Sequence, residues 1–266
     1  MSKNLPTVAE NKVPAPFFDD VMEMEGMGVE NVTLANMLLP RIVVLQALSP
    51  QLNKKKIEYI EGASVGDFCN VATGDIFNGP IEMIPCHFAT IYLEWKAKRG
   101  GLAMNHGLDA SILKQTTLNE KRQNILPNGN QVAETATWYC MLNVGEVWHR
   151  VFLPCSSTNL KVSRRWMTLF NTLRVKTSQG MIRPPLFYMS WWLEPAEDSN
   201  DQGAWATFSP KKGRIYSDID PTKSLLEECK NFYLDAKNEI VKGDLGIQDE
   251  LDPNRSENAH NPEGRM

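Results

Sequence analysis

No apolar run in this sequence approaches the roughly 18 residues that a membrane-spanning helix requires. The N-terminus also lacks the basic start and apolar stretch of a secretory signal, and carries Glu10, Asp19, Asp20, Glu23 and Glu25 instead. These absences point to a protein kept in the cytoplasm, in no contact with a membrane. There is no CxxC pair: Cys69, Cys86, Cys140, Cys155 and Cys229 form an odd set at wide, irregular spacing. Zinc needs closely spaced ligand pairs, and the one near-neighbour combination, Cys86 with His87, is expected to point to opposite faces of a strand. Buried reduced thiols are therefore expected, with no metal and no cofactor.

Catalytic signatures are missing as well, since the chain has no GxxxxGK[ST], GxGxxG, GxSxG or HExxH. His106 and His149 have no Ser or Cys beside them in a nucleophile context. The acidic stretch Glu194, Glu197, Asp198 and Asp201 offers carboxylates to a divalent metal, as a nuclease would. In an Asn-containing segment ending in Gly203 it reads better as a solvated turn, so the expectation is a non-catalytic protein.

A third absence is local. From Cys155 to Leu193 there is no Asp or Glu, although Lys161, Arg164, Arg165, Arg174, Lys176 and Arg183 all lie there. At ordinary composition about a tenth of positions are acidic, so roughly four would be expected. Without carboxylates nearby in sequence, these cations are expected to remain available for phosphates. The plainer alternative is a solvated basic face. Charge is segregated along the whole chain: residues 1–39 carry 2 Lys/Arg against 6 Asp/Glu, residues 40–216 carry 20 against 14, and residues 217–266 carry 6 against 12. The net charge of −4 thus hides a basic middle of net +6 between acidic ends.

With 266 residues, 42% hydrophobic and 23% charged, the chain reads as one globular domain with tails. Residues 1–34 form a flexible acidic leader, residues 35–243 the domain, and residues 244–266 a disordered acidic tail. From Pro40 the texture is β. Strands are expected over Arg41 to Leu45, Ile57 to Ile60, Ile81 to Trp95, Val132 to Leu142, Glu146 to Pro154, Leu186 to Leu193 and Ala204 to Phe208. A hairpin is expected to turn at Thr73-Gly74, and another at Asn143-Val144-Gly145. Pro85 marks an edge or a bulge. On the Val132 strand, Thr135, Thr137, Tyr139 and Met141 share one face and Ala136, Trp138, Cys140 and Leu142 the other. The residues from Glu197 to Gly203 read as a polar loop.

Helical spacing is clearest from Leu160 to about Val175, where Val162, Trp166, Leu169, Phe170 and Leu173 gather on one face and Lys161, Arg164 and Arg165 on the other. A short helix is expected near Asp109 to Leu113. A C-terminal helix over 221–242 starts at Asp220-Pro221, carries Leu225, Cys229, Phe232, Ala236 and Ile240 in register, and stops at Gly243.

All seven tryptophans lie between Pro40 and Tyr216. Binding of single strands needs a basic groove for the backbone and aromatic rings for the bases, each stack worth roughly 1–3 kcal/mol. Three aromatic–basic clusters meet that need: Tyr92, Trp95, Lys96, Lys98 and Arg99; then Trp148, His149 and Arg150; then Arg164, Arg165 and Trp166. Most tryptophans must still be core. The expected contacts are Lys161, Arg164, Arg165, Arg174, Lys176, Lys96, Lys98, Arg99 and Arg150 to phosphate, and Trp95, Trp148 and His149 to bases.

Several runs carry a resemblance. Leu39-Pro40-Arg41-Ile42-Val43-Val44-Leu45-Gln46-Ala47-Leu48-Ser49-Pro50, then Gly66-Asp67-Phe68 with Asn70 and Thr73-Gly74, then Ile84-Pro85 with His87 and Glu94-Trp95, resemble proteins encoded by tailed bacteriophages. Lys161-Val162-Ser163-Arg164-Arg165-Trp166 and Ser199-Asn200-Asp201-Gln202-Gly203-Ala204-Trp205 extend the similarity, which covers roughly Leu39 to Phe208. The group it resembles is one of single-stranded-DNA-binding proteins of phage replication or recombination. The resemblance implies an α+β, β-rich fold: an oligonucleotide-binding-like mixed β-barrel with an internal basic helix and a C-terminal helix. It further implies single-stranded DNA and phage replication or recombination proteins as partners, in the host cytoplasm, with a homodimer allowed. Such binders commonly end in an aromatic residue. This chain ends Glu263-Gly264-Arg265-Met266, so masking of the basic groove by the acidic tail is implied and recruitment through the last residues is not.

Overall fold

The computed structural model of the chain describes residues 27–28, 39–97, 101–201, 203–219 and 223–242. Three short strands, β1 (Ile42–Val44), β2 (Phe68–Asn70) and β3 (Ile76–Phe77), pair antiparallel in a small sheet. The β2–β3 turn falls at Thr73-Gly74 as expected, with Gly74 at φ +79°, a conformation glycine adopts at no steric cost. The body of the fold is an eight-stranded antiparallel sheet, curled into a half-barrel. It contains β4 (Ile81–Trp95), β5 (Leu102–Asn105), β6 (Thr117–Leu118), β7 (Asn124–Ile125), β8 (Gln131–Val144) and β9 (Val147–Ser156). A separate ribbon, β10 (Val175–Thr177) with β11 (Gly180–Ile182), precedes the sheet's last two strands, β12 (Met189–Asn200) and β13 (Gly203–Ile215). The long strands run in the order β13-β12-β4-β8-β9.

Two helices, α1 (Asn159–Asn171) and α2 (Ser224–Lys242), cover opposite faces of this sheet, so its central strands are apolar on both sides. On β8, Ala136, Trp138, Cys140 and Leu142 join Trp166 and Phe170 of α1 in one core. Tyr139 and Met141 join Leu225, Cys229, Phe232 and Ala236 of α2 in another. The alternation expected from the sequence is the one the fold uses. No described helix is long and apolar enough to cross a membrane.

Pro85 does mark a bulge. Pro85 pairs with Cys140 and His87 with Tyr139, leaving Cys86 as the extra residue. The extra residue reverses the side-chain alternation, which corrects the expectation that Cys86 and His87 face apart. Cys86 is buried in the α2 core, and His87 packs on that same side against Tyr139 and against Tyr233 of α2, ring centroids 5.9 and 5.5 Å away. All five thiols are buried and unbridged.

The open side of the curl is spanned by β1. At one end Phe152 of β9 donates its backbone N–H to Pro40 O at 2.9 Å, and Arg41 bridges Phe152 in parallel. At the other end the Gln46 side chain pairs with the free edge of β13, its Nε2 donating to Ala206 O (2.8 Å) and its Oε1 accepting from Ala206 N–H (3.1 Å). Four of the long strands are tied together by Glu82, buried on β4. Its carboxylate accepts from Arg214 (Nε 2.9 Å, Nη2 2.6 Å), Ser190 Oγ (2.6 Å) and Asn143 Nδ2 (2.9 Å). Burial pushes the Glu82 carboxyl up, but these hydrogen bonds outweigh it and hold the group below the usual carboxylate range.

Other expectations need correction. Ile57 to Ile60 is not a strand: Ile57 is 85% exposed in a run of turns. The segment from Glu197 is not a loop, because β12 runs to Asn200 and β13 starts at Gly203. The basic helix stops at Asn171, four residues short of Val175, where Thr172 Oγ1 donates to Leu169 O and Arg174 Nη1 donates to Asn171 O and Leu173 O, satisfying the last carbonyls. Leu186–Tyr188 is a 3-10 turn ahead of β12. The β8–β9 hairpin turns at Gly145 and Glu146, both at positive φ, between paired Val144 and Val147. The short helix near Asp109 is a 3-10 helix, Ala110–Gln115, capped by the Asp109 side chain. The leader apart from residues 27–28, the tail and the Asp220-Pro221 helix start lie outside the described residues.

Candidate functional site

Helical spacing places Lys161, Arg164, Arg165, Thr168 and Thr172 on the outer face of α1, all exposed, because Trp166 and Phe170 commit the opposite face to the core. Past the helix end the ribbon β10–β11 continues the basic surface. Arg183 Nη1 donates to Asn171 Oδ1 at 3.3 Å, so Arg174 and Arg183 converge on the last residue of α1, with Lys176 exposed on β10. Arg165, Arg174, Lys176 and Arg183 have no carboxylate partner among the described residues.

Lys161 and Arg164 do have partners, contrary to the expectation drawn from the carboxylate-free window. Lys161 Nζ lies 3.1 Å from Asp198 of β12, and Arg164 Nη2 lies 3.3 Å from Glu134 of β8. The fold supplies from other strands what the local sequence withholds. Both pairs are solvent-exposed and so contribute little, typically 0–1 kcal/mol. In the same acidic stretch Asp198, held below the usual range by its Lys161 hydrogen bond, and Glu194, 2.5 Å from Lys211, are each engaged with a lysine. Among the described residues no group of three or more His, Cys, Asp or Glu could hold a metal ion.

The second sequence cluster is split by the strand that carries it. Trp148 is half-buried against the α2 core, and Arg150 is held 3.0 Å from Asp235 with its guanidinium over the Phe232 ring at 5.3 Å. His149 is exposed and, by alternation, faces the other side of β9. In the third cluster Trp166 is core, stacked on Trp138. In the first, Lys96 is exposed and Trp95 half-buried, while Lys98 and Arg99 lie outside the described residues.

Trp95 opens onto a feature that sequence reading missed. Between β1, the end of β9 and the start of α1 is a cavity of about 400 Å³ lined by Arg41, Gln46, Trp95, Thr135, Ser157 and Thr158, among others. Arg41 is the one charged side chain among its described lining residues. The signal available in sequence was the polar run Ser156-Ser157-Thr158-Asn159 directly before the basic helix. Sequence reading also missed the half-buried cluster in which the Glu94 carboxylate accepts from Asn130 Nδ2 (2.5 Å) and Asn128 Nδ2 (3.4 Å) and lies 2.8 Å from His106 Nε2. Burial raises that carboxyl, but the hydrogen bonds from Asn130, His106 and Asn128 prevail and lower it.

Compared with known proteins, no curated protein and no solved structure matches the chain. A model of the Pam3 phage gp34-like protein family matches residues 8–242, well over half of the sequence and a longer stretch than Leu39 to Phe208. The chain therefore belongs to the Pam3 phage gp34-like family, a family of bacteriophage proteins.

Proposed function

We propose that this phage protein is a non-catalytic, sequence-independent binder of single-stranded DNA acting in phage DNA replication or recombination in the host cytoplasm. The observation that carries the reading is the continuous basic path from the outer face of α1 to the β10–β11 ribbon, where Arg165, Arg174, Lys176 and Arg183 have no carboxylate partner among the described residues. Cations so placed release counterions when they meet a polyanion, which makes the affinity fall steeply with salt. The curled sheet with β1 across its open side would then serve as an oligonucleotide-binding barrel does, and phage replication proteins would be met through other surfaces. Titration of the full-length protein with fluorescent single-stranded DNA, single-stranded RNA and duplex DNA at two salt concentrations, read by anisotropy, tests this. Salt-sensitive preference for single-stranded DNA supports the reading, and no binding to any of the three overturns it.

One observation favours a second reading. Met181 and Ile182 on β11 are 63% and 46% exposed beside Lys176, which suits a ribbon that docks on an acidic protein surface of the virion or host. In that case the three nucleic acids leave the anisotropy unchanged, and Ala substitutions at Lys176, Met181 and Ile182 alter binding to a protein instead.

A further inference from the structure

The cavity beside Trp95 lies at the N-terminal end of the basic path. Thr158 and Asn159, which open α1, line it, and Lys161 follows two residues later on the same helix. Its wall also includes Thr135, the neighbour of Glu134, to which Arg164 is paired. Its volume of about 400 Å³ falls in the range of about 300–1,000 Å³ usual for small-ligand sites. Its lining combines a tryptophan ring, a guanidinium, an amide and several hydroxyls with the apolar side chains of Val43, Val44, Leu93, Leu153 and Pro154. A flat ring with hydrogen-bonding edges joined to an anion matches that set, the ring by stacking and the anion by charge. The walls are also held in place, since Gln46 is fixed to Ala206 and Asn159 Oδ1 accepts from Thr207 Oγ1 at 2.9 Å, both on β13.

We infer that this cavity takes one nucleotide of a bound single strand, its base against Trp95 and its phosphate toward Arg41, while the flanking nucleotides run along α1. The inference rests on the single-strand reading and adds to it the one base that leaves the stack.

The test uses the full-length protein and single-stranded oligonucleotides bearing 5-iododeoxyuridine. After irradiation, the adduct is mapped by mass spectrometry, and anisotropy is measured for wild type, Trp95→Ala, Trp95→Phe and Arg41→Gln. The expected result is an adduct on Trp95, at least about a fivefold loss of affinity in Trp95→Ala, as losing a base–aromatic stack gives, and recovery of most of it in Trp95→Phe. If Trp95→Ala fails to fold, the adduct on wild type decides. Unchanged affinity in Trp95→Ala, with adducts confined to α1 and the ribbon, overturns the cavity assignment and leaves single-strand binding standing. No binding by wild type overturns both.

Discussion

Trp138 and Trp166 stack with ring centroids 4.2 Å apart and planes 23° from parallel, which fastens α1 to the centre of the sheet. The Trp138 indole N–H donates to Ser163 Oγ on the same helix at 2.8 Å, and Trp191 and Phe208 close edge-on against Trp166. Trp166→Ala should cost about 3–5 kcal/mol in urea denaturation. Ser163→Ala, which leaves a buried indole N–H unpaired, should cost about 1–3 kcal/mol. Native stability in Trp166→Ala would show that α1 is not held by this stack.

The outer face of the same helix should behave in the opposite way. Replacing Arg165, Arg174 and Lys176 together with Ala should leave the melting temperature nearly unchanged, because exposed side chains away from core and caps typically change stability by less than about 0.5 kcal/mol each. Arg174, whose guanidinium meets the final carbonyls of α1, should account for any small loss. Single-stranded DNA affinity should fall, and the slope of log affinity against log salt should flatten by about 2 if all three side chains meet phosphates. A large stability loss with unchanged binding would make this face structural.

The Glu82–Arg214 pair sets a pH dependence whose sign follows from its direction. The folded Glu82 carboxyl lies below its ordinary value of 4.5, so the unfolded chain takes up its proton first as pH falls. The contribution of Glu82 to stability is therefore complete above about pH 4.5 and is lost as the pH falls through the lower folded value. Glu82→Gln should be less stable than wild type at neutral pH, and its stability should vary less between about pH 6 and pH 3. Parallel pH profiles for the two proteins in chemical denaturation would refute the assignment.

Gly213, next to Arg214 on β13, packs tightly against Ser190 of this network. A Cβ added there would collide with Ser190 Oγ and lie 2.9 Å from the Ser190 carbonyl oxygen, which is backbone and cannot rotate aside. Gly213→Ala should destabilise by about 1–3 kcal/mol, as overpacking typically does, and should disturb the Ser190–Glu82 hydrogen bond. Unaltered thermal stability would mean that β13 can move away freely.

Much of the fold was legible because it is local. The bounds of β4 follow from one extended run, and the two faces of β8 from simple alternation. The Thr73-Gly74 turn and the short helix that follows Asp109 are set by residues within a few positions of each other. The buried stripe of α2 follows Leu225, Cys229, Phe232 and Ala236. What sequence could not give is long-range. Pro85 signalled a bulge, but that Cys86 is the extra residue depends on the register with β8. Lys161 and Arg164 lacked acids nearby in sequence, yet meet Asp198 and Glu134, 37 and 30 residues away, across strands whose order no local pattern specifies. The cavity was invisible for the same reason, since Arg41, Trp95 and Thr158 come from three separate elements. The exposure of Lys161, Arg164 and Arg165 on α1 was readable, because the apolar stripe that fixes the orientation of the helix lies on the helix itself.

The strand that spans the open side of the curl also dictates an order of events. Gln46 and Ala206 are 160 residues apart in sequence, so a growing chain exposes the first strand long before its second anchoring edge exists. The hairpin of β8 and β9 can form early, but β1 cannot finish docking until β13 has left the ribosome. In refolding followed by pulsed hydrogen exchange, the amides of Cys140 and Val151, which face each other across the β8–β9 hairpin, should gain protection before that of Ala206. Until then Ile42 and Val44 lack part of their eventual cover, and the nascent chain is at its most prone to associate with its neighbours.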